Sequence, residues 1–258
     1  MASAFSIYDV TAENVDQTGF FCYMSKRKEP GYKQKRDWLM ERFSEGMRIK
    51  ILHEEGGRDT GFIEYIPGEN AWRALNAEGF MVIHCLWVVG KGKDKGFGSE
   101  LIKACIDDAR EQGKAGVAMV TTDRVWLAKK DVFLKHGFTQ VDQAMGIFQL
   151  LQFDLKAGGK TSFPTNWEER AQKFGAGLTV LRTPQCPYIE NGANDILSFA
   201  KSRGIATRTH VFQTAKEVQS DSPSPYGVFG TVLDGKLLAY HYLLQKDFAR
   251  LMAERSGT

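Results

Sequence analysis

Apolar positions recur along this chain at two spacings, and the most informative stretch is where one gives way to the other. Phe80 to Val89 is an apolar run that reads as a buried strand. From Glu100 to Gln112 the apolar residues are Leu101, Ile102, Cys105, Ile106 and Ala109, which share one helix face, and Gly113 is a stop signal. Between them runs Gly90-Lys91-Gly92-Lys93-Asp94-Lys95-Gly96-Phe97-Gly98-Ser99. Upstream, the pattern predicts an edge strand over Ser6–Val10, helices over Thr11–Met24 and Gln34–Phe43, and a hairpin of Arg48–Leu52 and Gly61–Ile66 joined through Glu54-Glu55-Gly56-Gly57. Downstream, Val117–Thr122 reads as a strand, Lys129–Phe138 as a helix and turn, and Ala144–Leu155 as a closing strand.

After Lys156-Ala157-Gly158-Gly159-Lys160, which reads as a linker, the order restarts. A strand at Leu178–Leu181 is followed by a helix ending near Arg203-Gly204, a strand at Ala206–Phe212 and a short helix at Ala215–Gln219. A hairpin turning at Asp234-Gly235 and a helix around Phe248–Met252 complete it. The chain of 258 residues is thus read as two α/β domains, 1–156 and 157–258.

A strand feeding a glycine loop that opens a helix is an anion-binding device. The unpaired N–H groups and the positive helix end point at one spot, and glycines let a phosphate approach the backbone. Lys91, Lys93 and Lys95 add positive charge. A Walker A loop is excluded, because Gly96 is followed by Phe97 rather than Lys. The dinucleotide fingerprint G-x-G-x-x-G fails at Lys95. Gly92-x-x-x-Gly96-x-Gly98 matches the looser loop of short-chain dehydrogenases, but lies about ninety residues into the chain, where that fold would begin with it.

Lys93-x-x-Gly96-x-Gly98 resembles the coenzyme A loop of the GCN5-related N-acetyltransferases (GNAT). Leu86-Trp87-Val88 is similar to the strand end that precedes that loop, and Lys129-Lys130-Asp131-Val132-Phe133-Leu134-Lys135-His136-Gly137-Phe138 to the helix and Gly-Phe turn that follow it. The resemblance spans roughly Ile7 to Leu155. It implies a mixed central sheet with flanking helices, acetyl-CoA as cosubstrate without a metal, and transfer of an acetyl group to a small-molecule or peptide amine. It assigns Lys93, Asp94, Lys95, Gly96, Phe97, Gly98 and Ser99 to the pyrophosphate, and the backbone of Leu86 and Val88 to the thioester.

Acyl transfer also needs a base for the amine. His84 stands where many family members carry a glutamate, and an imidazole titrates near neutrality. Strand alternation puts His84, Leu86 and Val88 on one face. The alternative is a half-buried histidine bonded to a backbone carbonyl. The family's usual proton donor to the leaving thiolate is a tyrosine, and here that position is Phe133. Trp126 stands where an asparagine is common; Tyr23, Tyr32 and Cys22 are other groups that could reach the site. The loss at Phe133 keeps open a non-catalytic acyl-CoA sensor. A nicotinamide oxidoreductase, using Asp123 and Tyr242-x-x-x-Lys246, is a remoter alternative.

The order of elements in the second domain resembles the thioredoxin/glutaredoxin fold. Cys186-Pro187-Tyr188 is similar to the start of a C-P-Y-C site, with Ile189 in place of the second cysteine, and Ser224-Pro225 sits where that fold carries its cis-proline. A dithiol mechanism is excluded there. What remains is a reactive monothiol at Cys186, favoured by the helix start, or a retired redox fold kept for binding. An acetyltransferase followed by this region resembles the YoaP-type bacterial proteins.

Composition narrows the partners. A net charge of +3 is close to balance, so no nucleic-acid footprint is expected. The basic cluster from Lys26 to Arg36 reads as a solvated face or an anion contact. Four cysteines without C-x-x-C spacing suit a reducing cytoplasm and no structural zinc. No membrane span or signal peptide is read.

Overall fold

In the computed structural model, residues 4–92, 95–124, 126–241 and 243–256 are described. The chain divides into two units. One comprises Met1–Ser25, Arg36–Ala71 and Leu75–Phe163; the other Lys26–Lys35, Trp72–Ala74 and Pro164–Thr258.

The first unit contains β1 (Phe5–Val10), α1 (Val15–Thr18), the main part of α2 (Pro30–Ser44), β2 (Arg48–Glu54), β3 (Asp59–Pro67) and β4 (Phe80–Val88). It continues with α3 (Phe97–Glu111), β5 (Gly116–Thr122), α4 (Lys130–Leu134), β6 (Thr139–Ala144) and β7 (Phe148–Asp154). Among the described residues the sheet runs β1-β2-β3-β4-β5-β7-β6. Every neighbouring pair is antiparallel except β4 and β5, which α3 joins as a crossover. The periodic face of α3 packs Leu101, Ile102, Cys105, Ile106 and Ala109 onto Ile63, Tyr65, Met81, Ile83, Val117 and Met119.

Two irregularities shape the middle of this sheet. The β4–β5 pairing runs only from Phe80↔Gly116 to Ile83↔Met119, while β4 continues to Val88 and β5 stays with β7 to Thr122. The sheet therefore opens between β4 and β5 beyond Ile83. On its other side, β4 carries a bulge. Tyr65 pairs with Ile83 and Glu64 with Cys85, so His84 is the extra residue.

Several expected elements differ. The helix expected over Thr11–Met24 is only Val15–Thr18, because Gly19 (φ 72°), Phe21 (φ 73°) and Tyr23 (φ 61°) turn the chain into left-handed conformations. The single strand expected over Ala144–Leu155 is the end of β6, a turn and β7. Met145 and Gly146, both at positive φ, make a hairpin turn without the usual Asn-Gly pair. Helix α2 starts earlier than expected, at Pro30, a residue whose missing N–H costs nothing in a first turn.

A polar network fastens α3 to the sheet. The Tyr65 hydroxyl donates to Asp108 Oδ2 (2.5 Å), and Lys50 Nζ lies 3.4 Å from Asp108 Oδ1 and 2.9 Å from Asp9 Oδ1. Burial alone would lower the Lys50 pKa, but the two carboxylates outweigh it and the net shift is upward. Burial also pushes the Tyr65 phenol up, with the neighbouring Cys105 and Asp108 adding to it. Tyr65→Phe should therefore destabilise the protein by about 1.5–3 kcal/mol, the range for a hydrogen bond to a charged group. Urea unfolding at neutral pH measures it.

The second unit contains α5 (Trp167–Gln172), β8 (Leu178–Arg182), α6 (Ile189–Ser202), β9 (Thr207–Val211), α7 (Ala215–Asp221), β10 (Phe229–Leu233), β11 (Lys236–Ala239) and α8 (Gln245–Ser256). Its sheet order is β11-β10-β8-β9. Among the described residues only β8 and β9 are parallel, again across a helix, α6. The order of elements matches the expectation except for α5, whose short polar stretch gave no clear period. Leu178, Val180, Ile196, Ala200, Val232 and Phe248 form its interior.

Candidate active site

The loop after β4 ends in a helix start with no side-chain cap. Gly96 is the N-cap of α3 in left-handed conformation (φ 82°, ψ 1°), which explains a glycine there. Its carbonyl accepts from the N–H groups of Ser99 (2.9 Å) and Glu100 (3.2 Å). Among the described residues, the N–H groups of Phe97 and Gly98 meet no acceptor. They stand at the positive end of a helix of 15 residues.

Gly98 is the more telling glycine. It lies inside the helix, where glycine costs roughly 0.5–1 kcal/mol relative to alanine. Yet among the described residues a Cβ there would meet only Val88 Cγ2, at 3.9 Å, and its φ is not left-handed. Among the described residues, neither packing nor backbone conformation requires it. A bare backbone left open at a helix N-terminus is what a phosphate group needs, so the residues present fit the pyrophosphate of coenzyme A.

The other expected loop residues have varied surroundings. Lys93 and Asp94 lie outside the described residues. Lys95 pairs with Glu54 of β2 and stands 5.7 Å from the Phe97 ring centre. The Phe97 ring is buried, edge-on to Phe5 at 5.6 Å, which leaves only its backbone to the loop. Ser99 Oγ is 2.9 Å from His136 Nε2 and ties α3 to the turn after α4. Burial, then the positive charge of Lys103, lowers the His136 pKa below its ordinary 6.5. A lowered pKa means the folded state resists protonation. The stability tied to neutral His136 is present above pH 6.5 and is lost as pH falls through the lowered value. His136→Asn should flatten this acid-side loss in thermal melts taken between neutral and mildly acidic pH.

At the opened edge of β4 the backbone is available. Val89 N–H donates to Thr60 O (2.8 Å), toward β3. By alternation, the N–H and C=O groups of Leu86 and Val88 point the other way, into the gap beside β5. The side chains of both residues pack against the α3 core.

The bulge corrects the expectation that His84 shares a face with Leu86 and Val88. Two residues, His84 and Cys85, oppose Glu64, so alternation slips by one and Leu86 and Val88 turn to the α3 side. His84 instead lies on the face carrying Glu64. Its Nδ1 is 3.4 Å from Glu64 Oε1, and the side chains are 0% and 3% exposed. The Trp38 ring of α2 lies 6.5 Å from the imidazole. Farther along this face Phe21 stacks on Phe62 (5.0 Å) and meets Trp87 edge-on (6.0 Å); Trp87 is 41% exposed. Sequence reasoning missed Glu64. Its signal was a carboxylate inside Phe62-Ile63-Glu64-Tyr65-Ile66, where an apolar residue would be expected.

Phe133 is fully buried against Phe138 (5.4 Å), so its position serves the core. Trp126 is 39% exposed at φ 79°. Tyr32 groups with the second unit. Tyr242, invoked for the oxidoreductase alternative, lies outside the described residues.

In the second unit, Cys186 is half-buried and lies three residues before the first residue of α6. Ile189, at the place of a second cysteine, is buried. Beside Cys186, Gln185 Oε1 accepts from Arg73 Nη1 (2.6 Å). The described peptide bonds are all trans, Ser224–Pro225 included, which corrects the cis-proline expectation. There the Ser222 hydroxyl closes the loop, donating to Ser224 O (2.9 Å).

The sheet is thus split between its parallel strands, with an uncapped glycine-rich helix start at the mouth of the split. Residues 13–138 match the model of the acetyltransferase (GNAT) family, and the chain belongs to that family. The similarity extends over both units in one relative, YoaP of Bacillus subtilis (strain 168), described as an uncharacterized N-acetyltransferase. It is 30% identical over 249 residues, covering 95% of this chain and 97% of YoaP. Among solved structures, a GNAT-family acetyltransferase from Staphylococcus aureus Mu50 is 14% identical, with a TM-score of 0.45 over 59% of this chain and 100% of its own. The yncA protein of Salmonella typhimurium, solved with acetyl-CoA as its cofactor, is 19% identical, with a TM-score of 0.43 over 61% of this chain and 97% of its own.

No helix among the described residues is long and apolar enough to cross a membrane.

Proposed function

We propose that the protein is an acetyl-CoA-dependent N-acetyltransferase in which His84 is the general base. The observation that carries this reading is the alignment along one strand. The bare start of α3 stands beyond the end of β4, the open backbone of Leu86 and Val88 lies within β4, and His84 sits at its bulge.

The pyrophosphate would rest on the N–H groups of Phe97 and Gly98, with Gly96 shaping the turn. Lys93 and Asp94 are assigned to it by family resemblance alone. The thioester carbonyl would take a hydrogen bond from the backbone in the β4–β5 gap, where negative charge develops. Helix α3 and its core fill one face of β4, so the amine would approach from the other, where Glu64, His84 and Trp87 stand. Its nitrogen bonds to the carbonyl carbon, its proton passes to His84, and the C–S bond breaks with the electron pair on sulfur. A thiol with a pKa of about 8.5 is a fair leaving group without a dedicated acid, which suits Phe133. The aromatic wall of Phe21, Phe62 and Trp87 favours an amine carried on an apolar or aromatic body.

Residues 157–258 form an accessory domain on this reading. A thioredoxin-like assignment is supported by the β11-β10-β8-β9 order with its one parallel pair. The buried Ile189 favours a binding role over thiol exchange at Cys186.

The test is release of coenzyme A thiol from acetyl-CoA with a panel of aromatic, aliphatic, polyamine and peptide amines. Turnover fastest with aromatic amines is expected. The burial of Phe133 supports a second reading, a sensor that binds acyl-CoA without turnover. Tight binding with no thiol release across the panel would favour it.

A further inference from the structure

We propose that His136 is a positioning residue of the coenzyme site: its hydrogen bond to Ser99 sets which way the Ser99 hydroxyl points, and the arrival of coenzyme A draws a proton from solvent onto the imidazole. This role deepens the reading in which the pyrophosphate lies at the start of α3, and rests on it.

Local structure fixes the pair. Ser99 is the third residue of α3, directly after the two N–H groups left open at Phe97 and Gly98. Its own N–H donates to Gly96 O (2.9 Å), so its hydroxyl is the group that can turn to a phosphate. The imidazole is carried on a stiff turn. His136 N–H donates to Phe133 O (2.8 Å) and Gly137 N–H to Leu134 O (3.1 Å), while Phe133 and Phe138 on either side are buried. From that turn Nε2 reaches Ser99 Oγ at 2.9 Å, an ordinary hydrogen-bond length.

A hydroxyl has one hydrogen to give. When Nε2 accepts it, that hydrogen is spent on the imidazole. When the ring is protonated, both its nitrogens are donors. Nε2–H then donates to Ser99 Oγ, and the hydroxyl hydrogen is released to a phosphate oxygen. The charged groups around the ring are Lys103 and Glu100 on α3 and Lys135 on its own turn. Burial, then Lys103, with a smaller push from Lys135, outweighs Glu100 and keeps His136 neutral in the free protein near neutral pH. A bound pyrophosphate adds negative charge beside Ser99 and shifts this balance toward the imidazolium. By linkage, coenzyme A should bind more tightly as pH falls from about 8 toward about 5.5.

The experiment is titration of the full chain with coenzyme A, read in two ways. Proton NMR follows the His136 ring across pH with and without coenzyme A. His136→Gln, or His136→Asn should the first melt early, identifies its signal among those of His53, His84, His210 and His241. Calorimetry in two buffers of unlike ionisation enthalpy counts the protons taken up on binding. His136 is expected to titrate below pH 6.5 in the free protein and higher in the complex. The wild type should gain about tenfold more affinity over this pH range than the His136 variant. The comparison cancels the coenzyme's own phosphate monoester, which titrates at about pH 6 against both proteins. Ser99→Ala should lose the same pH-dependent gain. A His136 titration unmoved by bound coenzyme A, or binding without extra proton uptake, overturns the inference and leaves the coenzyme site standing. A full gain kept in Ser99→Ala overturns the role through Ser99. No binding by folded wild type at any pH overturns the coenzyme site itself, and the inference with it.

Discussion

Replacing His84 by glutamine is expected to lower kcat roughly 10²- to 10⁴-fold with any amine the protein acetylates, the usual contribution of a general base. Glutamine suits this site better than alanine. His84 and Glu64 are both buried, and deleting one partner of a buried pair destabilises by about 3–5 kcal/mol. A glutamine amide can donate to Glu64 and fill most of the space, but it cannot take a proton. KM for acetyl-CoA should be unchanged, because the proposed coenzyme site lies beyond the end of β4. Steady-state kinetics with purified variants decides it. A fall in kcat that merely follows a smaller folded fraction, seen by circular dichroism, would mean a structural histidine.

Gly98→Glu should separate stability from binding. A Cβ at this position finds ordinary space, with Val88 Cγ2 at 3.9 Å. Removing a helical glycine gains roughly 0.5–1 kcal/mol, and a carboxylate in the first turn gains about 0.3–1 kcal/mol from the helix dipole. The variant should therefore melt no lower than the wild type. Yet its side chain would occupy the bare backbone and place negative charge where the pyrophosphate belongs. Acetyl-CoA affinity should fall about a hundredfold or more. Blocking a charge-assisted hydrogen bond to phosphate and adding a like charge beside it each cost more than the roughly 1.4 kcal/mol of a tenfold change. A glycine kept for packing would give the reverse, reduced stability with binding intact. Gly96 is a poorer choice, because its φ of 82° strains any other residue.

The fold was legible where period and punctuation agreed. The α3 face, the glycine loop and the hairpin of β2 and β3 follow from residue spacing, and the expected elements of the second unit appear in order. The sequence misled where backbone conformation was carried by residues that do not advertise it. Phe21, Tyr23 and Met145 sit at positive φ, where glycine or asparagine would have signalled a turn. The bulge at His84 was invisible for a similar reason. It depends on register against β3, a non-local pairing that one strand's residues cannot report. That single slip moved His84 to the face opposite the one occupied by Leu86 and Val88, and it brought in Glu64 as a partner. The backbone roles proposed for Leu86 and Val88 rest on family resemblance, because a backbone donor leaves no side-chain signature.

The most direct test of the central claim is calorimetric titration of acetyl-CoA into the wild type and into Gly98→Glu, each checked for its melting temperature. Saturable one-to-one binding near micromolar, about −8 kcal/mol, is expected for the wild type. None measurable is expected for a variant that melts at least as high. No binding by folded wild type, or equal binding by both, would contradict the coenzyme A site at the start of α3.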